Sequence, residues 1–329
     1  MISFLVQRVT CMPPDPSHVL ILRPGALGDT LLLVPALKDL SGWTKVTFVG
    51  REPGLSLLRP LAGRCLDFEE GGWHQLFEEP FGEGFLEFPD PPQQVAAFVR
   101  DADGCVERNL KSLFSASRVG LFPGAPPEGN SVHAAQYLAG CLARLGMGID
   151  PETCLHRARQ VPLLSAGKPA GEEVGIVLHP GSGGRYKNHP PAFWQNLIRA
   201  FQGAAEGFGT RRMTLLLGPA EEALREAFVG ADLPGTVRIV DTPETEALSS
   251  LLGRAMLFVG HDSGVTHLSA MLGASTVALF RGTDPRVWGP LGPRVQVISG
   301  EPPERGLIEA TLQAAKALGG SGAGGSGAG

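Results

Sequence analysis

In the second half of the chain, short and predominantly apolar runs alternate with helix-patterned stretches, and this alternation restricts the fold more than any other feature of the sequence. The runs are residues 174–178, 213–217, 237–240, 256–259 and 276–279, with helical stretches opening near Pro191, Ala220, Glu244 and Gly264. A strand that is apolar on both faces must be covered on both faces, which is the condition of a parallel sheet sandwiched between helices. The first half repeats the pattern less cleanly. Residues 18–23, 45–49, 105–106 and 118–122 read as strands, and helix-like spacing falls around 92–100 and 132–145. The expectation is an α/β protein of two Rossmann-like units with parallel sheets.

The seam is expected where Ala166-Gly-Lys-Pro-Ala-Gly171 has the composition of a linker, which gives units at 1–165 and 174–318 joined by 166–173. Residues 319–329 are only Gly, Ser and Ala and cannot bury enough to offset their ordering entropy, so they are expected to be a disordered tail. A Pro-rich lead of ~17 residues precedes the first strand.

Composition narrows the class of function. With 43% hydrophobic residues the chain can build sizeable cores, and with a formal charge of -5 and no Lys/Arg run it is no bulk-electrostatic binder of nucleic acid. Anionic ligands must then be met locally. The five cysteines are scattered and never spaced as CxxC, which argues against a disulfide framework or a zinc site and fits a reducing cytosol. No h-region marks a signal peptide, and no run reaches the ~18 to 20 apolar residues of a membrane span.

Four segments carry candidate chemistry. In Leu22-Arg-Pro-Gly-Ala-Leu-Gly-Asp-Thr-Leu31 a strand ends, two glycines allow a tight turn, and Asp29 opens a helix. Asp29 is there either a helix cap or a catalytic base in the crevice at the strand's carboxyl end. Val177-Leu-His-Pro-Gly-Ser-Gly-Gly-Arg-Tyr-Lys-Asn-His-Pro-Pro191 is a Gly-rich loop with Arg185 and Lys187, and exposed N–H groups beside a cation suit a diphosphate. In Phe258-Val-Gly-His-Asp-Ser-Gly-Val-Thr-His267 a strand runs into a glycine-opened helix whose first N–H groups offer another anion site. Ala278-Leu-Phe-Arg-Gly-Thr-Asp-Pro-Arg-Val-Trp-Gly-Pro290 follows the last core strand, with Thr283 and Asp284 as ligand contacts and Trp288 as a packing surface, or else an ordered loop on a core tryptophan. Asp101-Ala-Asp103 reads as a surface turn, and the absence of HExxH or a Cys/His cluster leaves no expected protein-bound metal. Outside the Gly/Ser/Ala tail, neither half supplies GxGxxG, GxxxxGK[ST] or GxSxG, which sets aside dinucleotide, P-loop and serine-hydrolase readings.

Taken in order, these segments resemble the glycosyltransferase family 9 heptosyltransferases, ADP-heptose:lipopolysaccharide enzymes of GT-B fold. The opening Ile21-Leu-Arg-Pro-Gly-Ala-Leu-Gly-Asp29 with Val34-Pro-Ala-Leu37 looks like the family's start, and Leu178-His-Pro-Gly-Ser182 with Lys187 and Pro190 like its second segment. Gly260-His-Asp-Ser-Gly-Val-Thr-His267 is similar to its DtGxxH signature, and residues 279–290 to its close. Residues 101–112 resemble a family strand. Departures are Pro24-Gly25-Ala26 where Ser or Thr is common, Tyr137 in place of a basic residue, and Arg281 where Gly is common.

The resemblance implies two Rossmann-like domains facing a central cleft, acceptor on the first and donor on the second, and an inverting transfer of heptose from ADP-heptose to a lipopolysaccharide core or lipid A acceptor. Asp29 would be the general base. Lys187 and the N–H groups around Ser263, Gly264, Val265 and Thr266 would bind the diphosphate and stabilise the leaving ADP. Asp262 would hold donor-sugar hydroxyls, Glu221 the ribose, Ser182 would belong to the donor loop, and His267 would support the phosphate-binding turn. His133, Arg51, Arg59 and Lys111 are acceptor candidates. No cofactor is implied beyond the nucleotide-sugar substrate. A lipid-linked oligosaccharide is the implied partner, met from the cytoplasm at the inner face of the inner membrane. The alternatives are another nucleotide sugar, a non-catalytic nucleotide-sugar binding protein, or an epimerase on the same fold.

Overall fold

The computed structural model describes residues 17–40, 44–80, 88, 90–167, 172–218, 221–230, 233–300 and 303–320. The Pro-rich lead, half of the linker (168–171) and the tail from residue 321 therefore lie outside the described residues, as does Ala220. Two all-parallel sheets carry the fold. The first contains β1 (Ser17–Leu22), β2 (Thr44–Gly50), β3 (Arg64–Asp67), β4 (Gln94–Phe98) and β5 (Arg118–Phe122) in the order β3-β2-β1-β4-β5. The second contains β6 (Val174–His179), β7 (Met213–Leu217), β8 (Val237–Asp241), β9 (Ala255–His261), β10 (Thr276–Phe280) and β11 (Val295–Ser299) in the order β11-β10-β9-β6-β7-β8. Both orders are doubly wound, with the direction of winding reversing between β1 and β4 and between β6 and β9.

Helices of the first half are α1 (Leu27–Leu31), α2 (Val34–Leu40), α3 (Gly54–Leu58), α4 (Cys105–Leu113), α5 (Ala134–Arg144) and α6 (Pro151–Ala158). Those of the second are α7 (Pro191–Gly203), α8 (Ala205–Phe208), α9 (Glu222–Val229), α10 (Thr245–Gly253), α11 (Gly264–Met271), α12 (Pro285–Trp288) and α13 (Glu304–Gly320). The helix α13 runs through Gly319 and Gly320, two residues into the segment expected to be tail.

Each central strand divides its side chains between two apolar layers, as the two-residue period of a strand requires. On β1, Val19 and Ile21 enter one cluster with α2 and α5, while Leu20 and Leu22 enter another with Val106 and Leu110 of α4. On β6, Val177 joins the first of these clusters, whereas Ile176 and Leu178 meet Trp194 and Leu197 of α7. One continuous core thus reaches from Val19 to Phe258, across both sheets. Fully burying a leucine or valine side chain is worth about 1.5–3 kcal/mol, so these rows fix the register of the sheets and the ends of β1, β6 and β9 that bear the candidate motifs.

Three sequence expectations for the first half are corrected. Residues 92–100 hold the strand β4, not a helix: Val95, Ala96 and Ala97 are fully buried between layers, where a strand shows no alternation and its alanines mimic helical spacing. Cys105 and Val106 open the helix α4 rather than forming a strand, and residues 101–112 are likewise helical in their main part. Asp101 and Asp103 cap that helix, accepting from the N–H groups of Val106 at 3.2 Å, Glu107 at 3.0 Å and Cys105 at 3.2 Å. The helical spacing at 132–145 is that of α5, which stops at Arg144 and is followed by α6.

Candidate active site

The loops after β1, β6 and β9 converge at the carboxyl ends of the two sheets, beside both reversal points, where doubly wound folds place their ligands. The pairing of His179 with Gly260 brings the β6 and β9 loops side by side. A cavity of about 570 Å³ lies there, with Ala26, Leu27, Gly28 and Asp29 on one wall and Ser182, Lys187, Glu221, Asp262, Ser263, Gly264, Val265 and His267 on the other. A second cavity of about 700 Å³ opens on the first half alone, between Arg23, Asp29, Arg51, His74, Arg100 and the rings of Phe68, Phe77 and Phe98. Asp29 borders both.

The geometry of Asp29 combines the two roles left open by the sequence. Its Oδ2 accepts from the Ala26 N–H at 3.2 Å, so it caps α1, yet its side chain remains 44% exposed. Beneath it, Arg23 is buried and donates Nε to the Asp29 carbonyl at 2.7 Å and Nη2 to the Gly124 carbonyl at 2.9 Å, with Nη2 3.5 Å from Asp29 Oδ1. Burial lowers the Arg23 pKa and the Asp29 charge opposes that shift. Gly25 is required by this packing, since a Cβ there would stand 2.6 Å from the Asp29 Cβ.

On the facing wall, Lys187 Nζ donates to Asp262 Oδ2 at 2.7 Å, and the same oxygen accepts from Thr283 Oγ1 at 2.8 Å. The pair is 20% and 8% exposed, so it is partly desolvated while still reaching the cavity. At the start of α11, Ser263 Oγ accepts from the Thr266 N–H at 3.3 Å. The Gly264 and Val265 N–H groups belong to the first turn, which has no intrahelical acceptors, so they are the ones left to meet an anion. The Thr266 hydroxyl donates to the His261 carbonyl at 2.5 Å and closes the turn.

His267 lies buried against this turn with Nδ1 unpartnered, and burial pushes its pKa down to about 4 although the Asp262 carboxylate works in the other direction. It is therefore neutral at pH 7. Glu221 is also buried, its Oε2 accepting from the Gly218 N–H at 2.7 Å. Gly181 makes room for it, because a Cβ at that position would fall 1.8 Å from Glu221 Oε1. The Ser182 hydroxyl is spent within the loop, donating toward Asn188 Oδ1 at 2.6 Å, and Gly184 N–H approaches it at 3.3 Å. Asp284 caps α12 through the Arg286 N–H at 2.9 Å, while Trp288 lines the cavity.

The acceptor candidates separate. Arg51 reaches the second cavity, donating Nη1 to the Pro24 carbonyl at 3.1 Å and pairing with Glu69. Arg59 pairs with Glu52 at 3.5 Å and faces a different cavity, with Lys38 and Ser56. Lys111 pairs with Glu107 at 2.7 Å on α4 and lines neither cavity of the site. His133 is buried as the cap of α5: its Nδ1 accepts from the Ala135 N–H at 3.2 Å and its Nε2 donates to the Gly289 carbonyl at 2.9 Å. Burial lowers its pKa to about 4 against the effect of that bond, so it ties the two halves together instead of facing solvent. Arg23, His74 and Arg100 were missed from the sequence. Only Arg23 carried a local signal, a charge at the end of an apolar run.

Two doubly wound parallel sheets with a cavity between their carboxyl edges make up the GT-B architecture. Residues 153–311 match the model of glycosyltransferase family 9 (heptosyltransferase). Among solved structures, the chain is similar to E. coli heptosyltransferase WaaC with ADP at 18% identity and TM-score 0.61, over 90% of this chain and 99% of that one. It is similar to E. coli ADP-heptose lps heptosyltransferase II at 17% identity and TM-score 0.66, over 92% and 99%. The glycosyl transferase family 9 protein of Veillonella parvula aligns at 15% identity and TM-score 0.67, over 94% and 99%. At these identities the shared property is the fold. A comparison with curated protein sequences finds no match. Among the described residues, no helix is long and apolar enough to cross a membrane.

Proposed function

We propose that the protein transfers a heptose from ADP-heptose to a hydroxyl of a lipopolysaccharide core or lipid A acceptor, with inversion. The observation that carries this reading is the position of Asp29 on both cavities, one shared with the second sheet and one confined to the first. An acceptor in the first-half cavity would present its hydroxyl to Asp29, and a donor in the shared cavity would present its anomeric carbon to the same point. As the acceptor oxygen bonds to that carbon, Asp29 takes the hydroxyl proton and the bond to the diphosphate breaks, its electron pair leaving with ADP. A single displacement of this kind inverts the centre.

The remaining residues take their roles from chemistry. The Gly264 and Val265 N–H groups at the positive end of α11, with Lys187, meet the diphosphate and the charge that grows on ADP. Asp262 accepts from sugar hydroxyls and Glu221 from the ribose. Four cationic or titratable groups around the other cavity, Arg23, Arg51, His74 and Arg100, favour an acceptor bearing carboxylates or phosphates. Residues 1–165 would form the acceptor domain and 174–318 the donor domain, joined by 166–173. The acceptor being lipid-linked, the protein would work from the cytoplasm at the inner face of the inner membrane.

The test is calorimetric titration with ADP-heptose, ADP, UDP-GlcNAc and NAD, followed by ADP release on addition of lipid acceptors. Selective ADP-heptose binding with acceptor-dependent ADP release is expected. Tighter binding of another nucleotide sugar moves the substrate and keeps the mechanism, and binding without release under every acceptor supports a non-catalytic binder.

A further inference from the structure

Tyr186 plays no part in the transfer as derived, yet it stands at the rim of the shared cavity with 66% of its surface exposed. Ligand cavities are lined mainly by apolar and aromatic side chains, and this ring belongs to the cavity's lining. Its place is held open by two glycines. A Cβ on Gly184 would stand 2.9 Å from Tyr186 Cε1, and one on Gly282, whose φ is +81°, would stand 3.4 Å from Cδ2. The ring is thereby set between the β6 loop and the β10 loop.

Its neighbours are the polar groups of the same wall. Lys187 Nζ lies 6.0 Å from the ring centroid, and that ammonium is bonded to Asp262, which also accepts from Thr283. An exposed ring next to a carboxylate, an ammonium and a hydroxyl is the pairing a pyranose calls for: its C–H face lies on the ring and its hydroxyls turn to the polar groups. Glu221 is anchored separately, against Gly181 and Gly218, so the ring belongs with the Asp262 group and not with the carboxylate proposed for the ribose.

We infer that the Tyr186 ring is the platform for the apolar face of the transferred sugar, which makes Tyr186 a specificity-determining residue for the donor's sugar and leaves the nucleotide to other groups. The inference rests on the donor reading proposed above. Tyr186→Ala and Tyr186→Phe are titrated with ADP and with ADP-heptose, alongside the unsubstituted protein, and melting temperatures confirm that an exposed substitution leaves the fold in place. The expected result is an ADP Kd within twofold in all three proteins. The ADP-heptose Kd rises roughly tenfold in Tyr186→Ala and stays within about threefold in Tyr186→Phe. Equal weakening of ADP and ADP-heptose would overturn the platform, since the ring would then touch the nucleotide, and so would an unchanged ADP-heptose Kd in Tyr186→Ala. Failure of the unsubstituted protein to bind either ligand overturns the donor reading, and the platform with it.

Discussion

Substituting alanine for Gly264 adds one methyl group where the two halves of the chain touch. The added Cβ would lie 2.8 Å from the Gly28 N and 2.9 Å from both Cβ and Cγ of Leu27. Carbon atoms rest at about 3.5–4.0 Å, so α1 and α11 must separate locally by roughly 0.6 Å. The helix itself raises no objection: Gly264 does not sit at a positive φ, and alanine is the better helix former by up to ~1 kcal/mol. A misplacement of 1 Å between reacting groups costs on the order of 10²-fold, so a 0.6 Å separation between Asp29 and the donor wall should lower kcat roughly tenfold. The ADP Kd should hold, while the melting temperature should fall modestly, because overpacking costs about 1–3 kcal/mol against at most ~1 kcal/mol of helix propensity. Gly28→Ala is the control, because a Cβ there would meet Gly264 Cα at an ordinary 3.5 Å. Acceptor-dependent ADP release measures kcat, and titration with ADP measures binding. A Gly264→Ala protein with kcat within twofold of the original, or a Gly28→Ala protein equally impaired, would refute the reasoning.

Asp29→Asn should reduce transfer by a factor on the order of 10² to 10⁴ with ADP affinity unchanged, and turnover near the original rate would remove Asp29 as the base. Lys187→Ala should weaken ADP-heptose binding about tenfold, as expected for loss of a charge-assisted contact that also leaves Asp262 without its cation; unchanged affinity by calorimetry would contradict it. Acid should unfold the protein early. His133 and His267 have pKa values lowered by burial to about 4 and His261 to about 3, so below pH 6.5 the unfolded chain binds protons that the folded chain refuses. Their stabilising contribution is complete above pH 6.5 and declines toward pH 4, by ~1.4 kcal/mol per pH unit for each group. Melting temperature should thus fall steadily from pH 7 to pH 5, and a flat profile would count against the burial of these imidazoles.

The parts of the fold that could be read in advance are those whose signal is local. The apolar runs of β6, β7, β9 and β10 are buried nearly throughout, and a continuous run bounded by glycine is visible in sequence. The strands β3 and β11 are half-exposed at sheet edges, so their mixed residues gave no such run. Residues 94–98 were misread because a buried strand rich in alanine has no two-residue rhythm to betray it. The site divides in the same way. Asp29, Lys187, Asp262 and the opening of α11 sit in loops directly after strands, where motif and position agree. Arg51, His74 and Arg100 meet only because β2, a short 3₁₀ turn and β4 end at one edge, and a one-dimensional pattern holds no record of that meeting. His133 looked like a ligand-facing helix start and proved to be a tie to Gly289, a bond formed by residues 156 positions apart.

Leu31 and Leu37 on one side and Leu268 and Met271 on the other belong to a single apolar cluster, which sets what opening the two halves would cost. Prising the halves far enough apart to wet 200 Å² of that surface would cost about 5 kcal/mol at ~25 cal/mol per Å². Wide swinging is thereby rarefied, and under the proposed reaction ligands of the shared cavity would exchange by breathing of small amplitude at its rim. Any larger excursion carries the heat-capacity signature of exposed hydrocarbon, so a turnover limited by it would trace a curved rather than a straight line on an Arrhenius plot.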